Sequence, residues 1–143
     1  MERITCGIDT IRISRIADVY NRKGEQFLNR VYTPSEQALC LGKGKNRGMS
    51  LAARFAAKEA VSKALGTGIG PEGIRFEQIE ILADSSGRPL LRLHDRALRR
   101  FVEMGGISSD VSLSHDGDIA TAMCVMLFKN PGPGGLRNEV PES

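Results

Sequence analysis

Apolar and polar positions along the chain divide it into short strands and amphipathic helices. Residues 4–9 (ITCGID) read as a short strand ending at Asp9. From Ile11 to about Gly24, the residues Ile13, Ile16, Ala17 and Tyr20 recur at helical spacing, which predicts a helix. A second short helical piece covers Glu25 to Val31. Thr33-Pro34-Ser35-Glu36 is a helix start: Thr33 caps, Pro34 takes the first helical position and Glu36 closes a capping box. That helix stops at Gly42, and Gly42 to Gly48 (GKGKNRG) is a flexible basic loop. The longest helix runs from about Met49 to Leu65, with Gly66 as its natural end. The glycine-rich stretch Gly66 to Gly73 is a loop. Phe76–Ala83 and Pro89–Leu93 read as a hairpin around the turn Asp84–Gly87. Asp95 caps a helix to Met104, and the strands Asp110–Ser114 and Ile119–Phe128 are joined by a turn at His115–Asp118.

This order mixes helices with hairpins and lacks βαβ alternation. It predicts an α+β fold in which an antiparallel sheet packs on the long helix. The 143 residues fit one domain. We place it at residues 1–129, followed by a flexible Pro/Gly-rich tail over 130–143. At 41% hydrophobic and 26% charged residues, the composition is that of a globular chain and excludes a collagenous or disordered one. No apolar run approaches the roughly 20 residues of a membrane helix, and the N-terminus predicts no secretory signal. The three cysteines, Cys6, Cys40 and Cys124, are widely spaced and form no CxxC. A disulfide framework or zinc site is not expected, and a cytoplasmic location is.

Charge changes the picture. The net value of +3 hides an asymmetry: residues 1–63 carry 12 Lys/Arg against 6 Asp/Glu, and residues 64–143 carry 8 against 11. The front half suits an anionic partner. Stacking-based binding of single-stranded nucleic acid is a poor candidate, because aromatics are few and not interleaved with the basic residues. There is no GxxxxGK[ST] loop, and GTGIG follows a helix rather than a strand.

At about 100° per residue, Ala53, Ala57, Ala60, Val61 and Ala64 share one arc of the long helix. Lys58, Glu59, Ser62 and Lys63 fall opposite, with Phe55 among them. An aromatic ring there suits a site wall or a subunit interface. Glu59 and Lys63 also have the spacing of an i,i+4 ion pair on a solvated face. Asp9 fits a turn residue or a metal carboxylate. With Glu59 and nearby Lys58 and Lys63 it would meet magnesium's demand for few carboxylates and phosphate oxygens. His115 lies in a turn, and His94 reads as structural.

Three segments then match a known pattern. CGIDTIRISRI (Cys6 to Ile16) resembles the N-terminal GxD…RI segment of holo-[acyl-carrier-protein] synthases. RFAAKEAVSKALGTGIG (Arg54 to Gly70) resembles their signature helix, F-x-x-K-E-A-x-x-K-A-x-G-T-G. VSLSHDGDIATAMCV (Val111 to Val125) resembles their S-x-S-H segment and alanine-rich strand. The likeness runs in register from about Ile4 to Phe128.

The resemblance is to the small, single-domain phosphopantetheinyl transferases. It implies that the 4′-phosphopantetheine arm of coenzyme A moves to a serine of an apo acyl carrier protein, and that adenosine 3′,5′-bisphosphate leaves. It further implies a homotrimer with active sites between neighbouring subunits. Asp9 and Glu59 would hold Mg²⁺, and Glu59 and Lys63 would be catalytic. Arg54, Lys58, Lys63, Gly66 and His115 would line the coenzyme A site. Arg15 and Arg22, seven residues apart on one helix face, would dock the acidic carrier. Relatives usually carry glutamate where this chain has Arg12, which makes the docking helix more basic. Two other classes compete with this reading: a non-catalytic coenzyme A or nucleotide-binding module, and a basic nucleic-acid-binding domain. Neither accounts for Asp9 and Glu59 together.

Overall fold

A computed structural model describes residues 1–71 and 73–129. The expected tail over 130–143 lies outside the described residues. The elements are β1 (Glu2–Arg12), α1 (Ile13–Lys23), α2 (Glu25–Val31), α3 (Pro34–Leu41), α4 (Arg47–Leu65), β2 (Ile79–Ala83), β3 (Pro89–Leu93), α5 (Asp95–Glu103), β4 (Gly106–Asp116) and β5 (Ile119–Lys129). Short 3₁₀ turns occupy Gly44–Asn46 and Phe76–Gln78. The strands form an antiparallel three-stranded sheet in the order β1-β5-β4 and a separate β2-β3 hairpin. This is the expected α+β architecture.

Helix α4 lies across one face of the large sheet. That inner face carries Ile11 from β1 and Ala120, Ala122, Cys124, Met126 and Phe128 from β5, all buried. The closest approach falls at Gly7, where a Cβ would come within 1.9 Å of the Ala60 carbonyl oxygen. Only glycine lets strand and helix meet here. By the two-residue alternation of a strand, Asp9 shares the inner face with Gly7 and Ile11 and opposes the small Ala122. The fold thus brings a carboxylate against the flank of α4.

Several boundaries differ from the sequence reading, each for a tertiary reason. β1 continues to Arg12, because Ile11 is buried in register with Ala120. Helix α1 therefore starts at Ile13. Its start is capped from a distant turn: the Ser14 N–H and hydroxyl donate to the two Asp118 carboxylate oxygens at 2.9 and 2.6 Å, and the Ile13 N–H donates to the Asp118 carbonyl at 2.8 Å. The β4–β5 hairpin is longer than expected and takes His115 and Asp116 into the strand. The turn narrows to Gly117, at φ +56°, and Asp118. Phe76 to Gln78 form a 3₁₀ turn, not the first residues of a strand. The capping box at Thr33 and Glu36 is formed as read.

Candidate active site

The site assembles where the end of β1 meets the C-terminal half of α4. Lys63 reaches back to the strand: its Nζ donates to the Ile8 carbonyl at 2.8 Å and to Asp9 Oδ1 at 3.3 Å. Glu59 lies one helical turn earlier on the same flank. Burial pushes the Glu59 carboxyl above its ordinary range, and the neighbouring Asp9 charge adds to this while Lys63 opposes it. Asp9, Glu59 and Lys63 are therefore one electrostatic cluster. No Glu59–Lys63 ion pair forms among the described residues; Lys63 takes Asp9 instead.

This donor set fits a magnesium ion. Two carboxylates of like charge, one raised partly by the other, are relieved by a divalent cation. No group of three or more His, Cys, Asp or Glu suited to a metal occurs among the described residues. The remaining positions would fall to water and phosphate oxygens, as magnesium prefers.

Glu59 also lines a cleft of about 700 Å³ together with Arg30, Ile69, Arg75, Phe76 and Gln78. The Phe76 ring lies against Phe55 at 5.1 Å between centroids. Phe55 thus supports a cleft wall, one of the two roles its place on the polar arc suggested. Gly66 ends α4 in the left-handed conformation, φ +74°, where glycine is favoured. It turns the Thr67 and Gly68 N–H groups back onto the Ser62 carbonyl.

Arg54 and His115 lie elsewhere. They line a second cleft of about 400 Å³ with Lys43, Asn46, Gly87 and Pro89. Arg54 and Glu59 are five residues apart on α4, about 140° around its axis, and so they face different clefts. Arg54 is held by Nε donating to the Ile81 carbonyl at 3.0 Å and Nη1 to the Ser50 hydroxyl at 2.9 Å. The expected coenzyme A residues are thus split into two groups on one chain. Arg15 and Arg22 are exposed on α1.

Lys58 departs from expectation. It is not on an exposed polar arc and lines neither cleft: its side chain is 0% exposed. Its Nζ donates to Glu36 Oε1 at 2.7 Å, to the Phe76 carbonyl at 3.0 Å and to the Ile79 carbonyl. The reason is that α3 and β2 cover this side of α4, as the sheet covers the other. Burial pulls the Lys58 ammonium below its ordinary pKa, and Glu36 counters it. The other Glu36 oxygen accepts the Ile81 N–H at 2.9 Å. Lys58 is thus held as a buried structural clamp within this chain.

His94 is structural as read, 3.1 Å from Glu80. Burial works to raise the Glu80 carboxyl, yet hydrogen bonds from Thr33 and His94 hold it below its ordinary value. Cys40 and Cys124 are buried, and burial pushes the Cys124 thiol up to about 12, which makes it a poor nucleophile. Sequence reasoning missed Arg30, Arg75, Phe76 and Gln78 of the large cleft. They come from α2 and from the turn before β2, and no local pattern ties those segments together. Lys43 and Asn46 did leave a signal, in the basic loop before α4.

An α+β scaffold with a carboxylate pair beside a lysine, flanked by arginine-lined clefts, is suited to phosphate-bearing ligands. The family model described as the 4′-phosphopantetheinyl transferase superfamily matches residues 5–124, and the chain belongs to that superfamily. Within it, the similar proteins are holo-[acyl-carrier-protein] synthases. The one from Trichlorobacter lovleyi is 45% identical over 120 residues, which cover 84% of this chain and 94% of that protein. Among solved structures, the Helicobacter pylori holo-[acyl-carrier-protein] synthase in complex with coenzyme A is 38% identical, with a TM-score of 0.74 over 85% of this chain and 98% of that one. A coenzyme A complex from Chronobacterium ammoniagenes is 33% identical, with a TM-score of 0.77 over 90% and 99% of the two chains.

Proposed function

We infer that this chain transfers the 4′-phosphopantetheine arm of coenzyme A to a serine hydroxyl of an apo acyl carrier protein, releasing adenosine 3′,5′-bisphosphate. The observation that carries the reading is the Asp9–Glu59–Lys63 cluster, in a chain similar to holo-[acyl-carrier-protein] synthases over most of its length. In the reaction, the serine oxygen forms a bond to the phosphorus of the arm. The bond from that phosphorus to the bisphosphate oxygen breaks, and the serine proton passes to a base. Positioning and charge neutralisation carry most of such a step. Lys63 neutralises charge on the departing bisphosphate. Glu59 accepts the serine proton directly or through a water. Asp9 and Glu59 would hold Mg²⁺, which would supply positive charge to neutralise phosphate oxygens. Gly66, Arg54 and His115 line the coenzyme A site. An arginine fork suits phosphate oxygens.

The two-cleft arrangement is explained if the active site closes between copies of the chain. The outer face of β1 and β5 is apolar and open: Ile4 is 67% and Ile8 59% exposed, with Met123 at 44% and Val125 at 37%. A contiguous apolar face of this kind marks an association surface. A homotrimer would cover it, and would bring Asp9, Glu59, Lys63 and Gly66 of one subunit against Arg54 and His115 of the next. Cytoplasmic surroundings suit three unpaired cysteines. No helix among the described residues is long and apolar enough to cross a membrane.

The acidic carrier docks on the exposed basic face of α1, at Arg15 and Arg22, with Arg12 at the helix entrance. Reversing Arg15 to Glu should raise the carrier's KM about tenfold or more in a steady-state transfer assay, while coenzyme A affinity stays unchanged. Equal loss of both would remove α1 as the docking face. No transfer to any apo carrier by the unaltered chain would overturn the enzymatic reading.

A further inference from the structure

A third cleft, of about 250 Å³, lies between the turn that ends α4 and the helix α5. Arg96, Arg99 and Arg100 line it, with Thr67 on the opposite side and Glu103 as its one acidic lining residue. None of the three arginines pairs with a carboxylate among the described residues, although Glu103 is close by. Arg100 is fixed in place: its Nε donates to the Leu65 carbonyl at 3.0 Å, which leaves its other N–H groups free of that bond. The Thr67 hydroxyl is buried and has no hydrogen-bond partner. These arginines belong to the acidic half of the chain, so the general charge balance of the sequence does not explain their clustering.

We propose that this cleft is a separate binding site for a small phosphate-type oxyanion. Guanidinium forks match tetrahedral oxyanions bidentately, and Arg100 is preorganised by its bond to the helix end. The volume falls below the roughly 300–1,000 Å³ typical of sites for drug-sized ligands, which favours a compact anion over a nucleotide. With three arginines against one glutamate, the lining carries a surplus of positive charge. Arg96 also lines the Glu59 cleft, so the two clefts adjoin. The proposal does not depend on the transferase reading.

The test is a calorimetric titration of inorganic phosphate into the full chain, against sodium chloride at matched ionic strength, with and without saturating coenzyme A. We expect one phosphate per chain, retained when coenzyme A is bound. Arg99→Gln should weaken phosphate binding about tenfold, the loss expected for one charge-assisted bond. Arg99 is exposed, so this variant should keep its melting temperature and its coenzyme A affinity. Thr67→Val provides a second variant on the opposite side of the cleft and should also weaken binding. The proposal fails if millimolar phosphate gives no more heat than chloride. It fails if coenzyme A displaces the phosphate, which would assign the anion to the transferase site. It fails if Arg99→Gln binds as the unaltered chain does.

Discussion

Burial and the Asp9 charge both raise the Glu59 carboxyl, and Lys63 offsets only part of this. A carboxyl held high in the folded chain binds its proton more tightly there than in the unfolded chain. The stability linked to that proton is present below the unfolded value, about 4.3, and is lost as pH rises through the folded value. Glu59→Gln removes the titration. Without metal, the variant should therefore melt higher than the unaltered chain at neutral pH, and the gap should close as the pH falls toward the unfolded value. Melting curves across pH read this directly; a gap that did not change with pH would contradict it. Added magnesium should stabilise the unaltered chain and not the variant, because the ion binds the folded carboxylate pair. The residue best suited to the chemistry is thus one that costs the metal-free fold stability, a common trade at functional sites.

Helix α4 shows what a sequence pattern reveals about an element and what it hides. Its length, its glycine end and its alanine-rich sheet face were legible, because each is local chemistry. The opposite arc was misread. A lysine and a serine among polar neighbours look solvated, yet Lys58 and Ser62 are both fully buried. The partner that makes Lys58 tolerable is Glu36, far off in sequence and already assigned to a capping box. One carboxylate serves both tasks, and only the second needs tertiary contact. The same limit hid the Asp118 cap on α1, where strand alternation and a turn signal were visible but their meeting was not. Breaking the buried pair should be severe. Lys58→Ala leaves the Glu36 charge uncompensated in the interior and should cost about 3–5 kcal/mol. Denaturant unfolding measures this. Lys58→Met combined with Glu36→Gln should recover part of the loss, since it removes both charges; a double variant no more stable than Lys58→Ala would place the cost elsewhere.

At the scale of the whole molecule, the three sequence motifs mark out residues that one chain keeps in two places. Asp9, Glu59 and Lys63 gather at one cleft edge, and Arg54 and His115 line another. Motif spacing says nothing of this division, because it follows from the direction each helix face and strand end takes in space. The open apolar face of β1 and β5 supports closure between copies. Sedimentation should give a trimer, and Ile8→Asp, which places a charge on that face, should shift it toward monomer. If sites are shared, mixing Glu59→Gln with His115→Ala chains should restore activity at about one quarter of sites, by random assembly. Absence of recovery in a mixed trimer would assign both residues to one subunit's site. The most direct measurement is the mass of an apo acyl carrier protein after incubation with the chain, coenzyme A and magnesium. A gain of one phosphopantetheine arm, lost with Glu59→Gln and with chelated metal, is the predicted result. An unchanged carrier mass, while coenzyme A still binds the chain, would contradict transfer and leave a coenzyme A-binding protein without this chemistry.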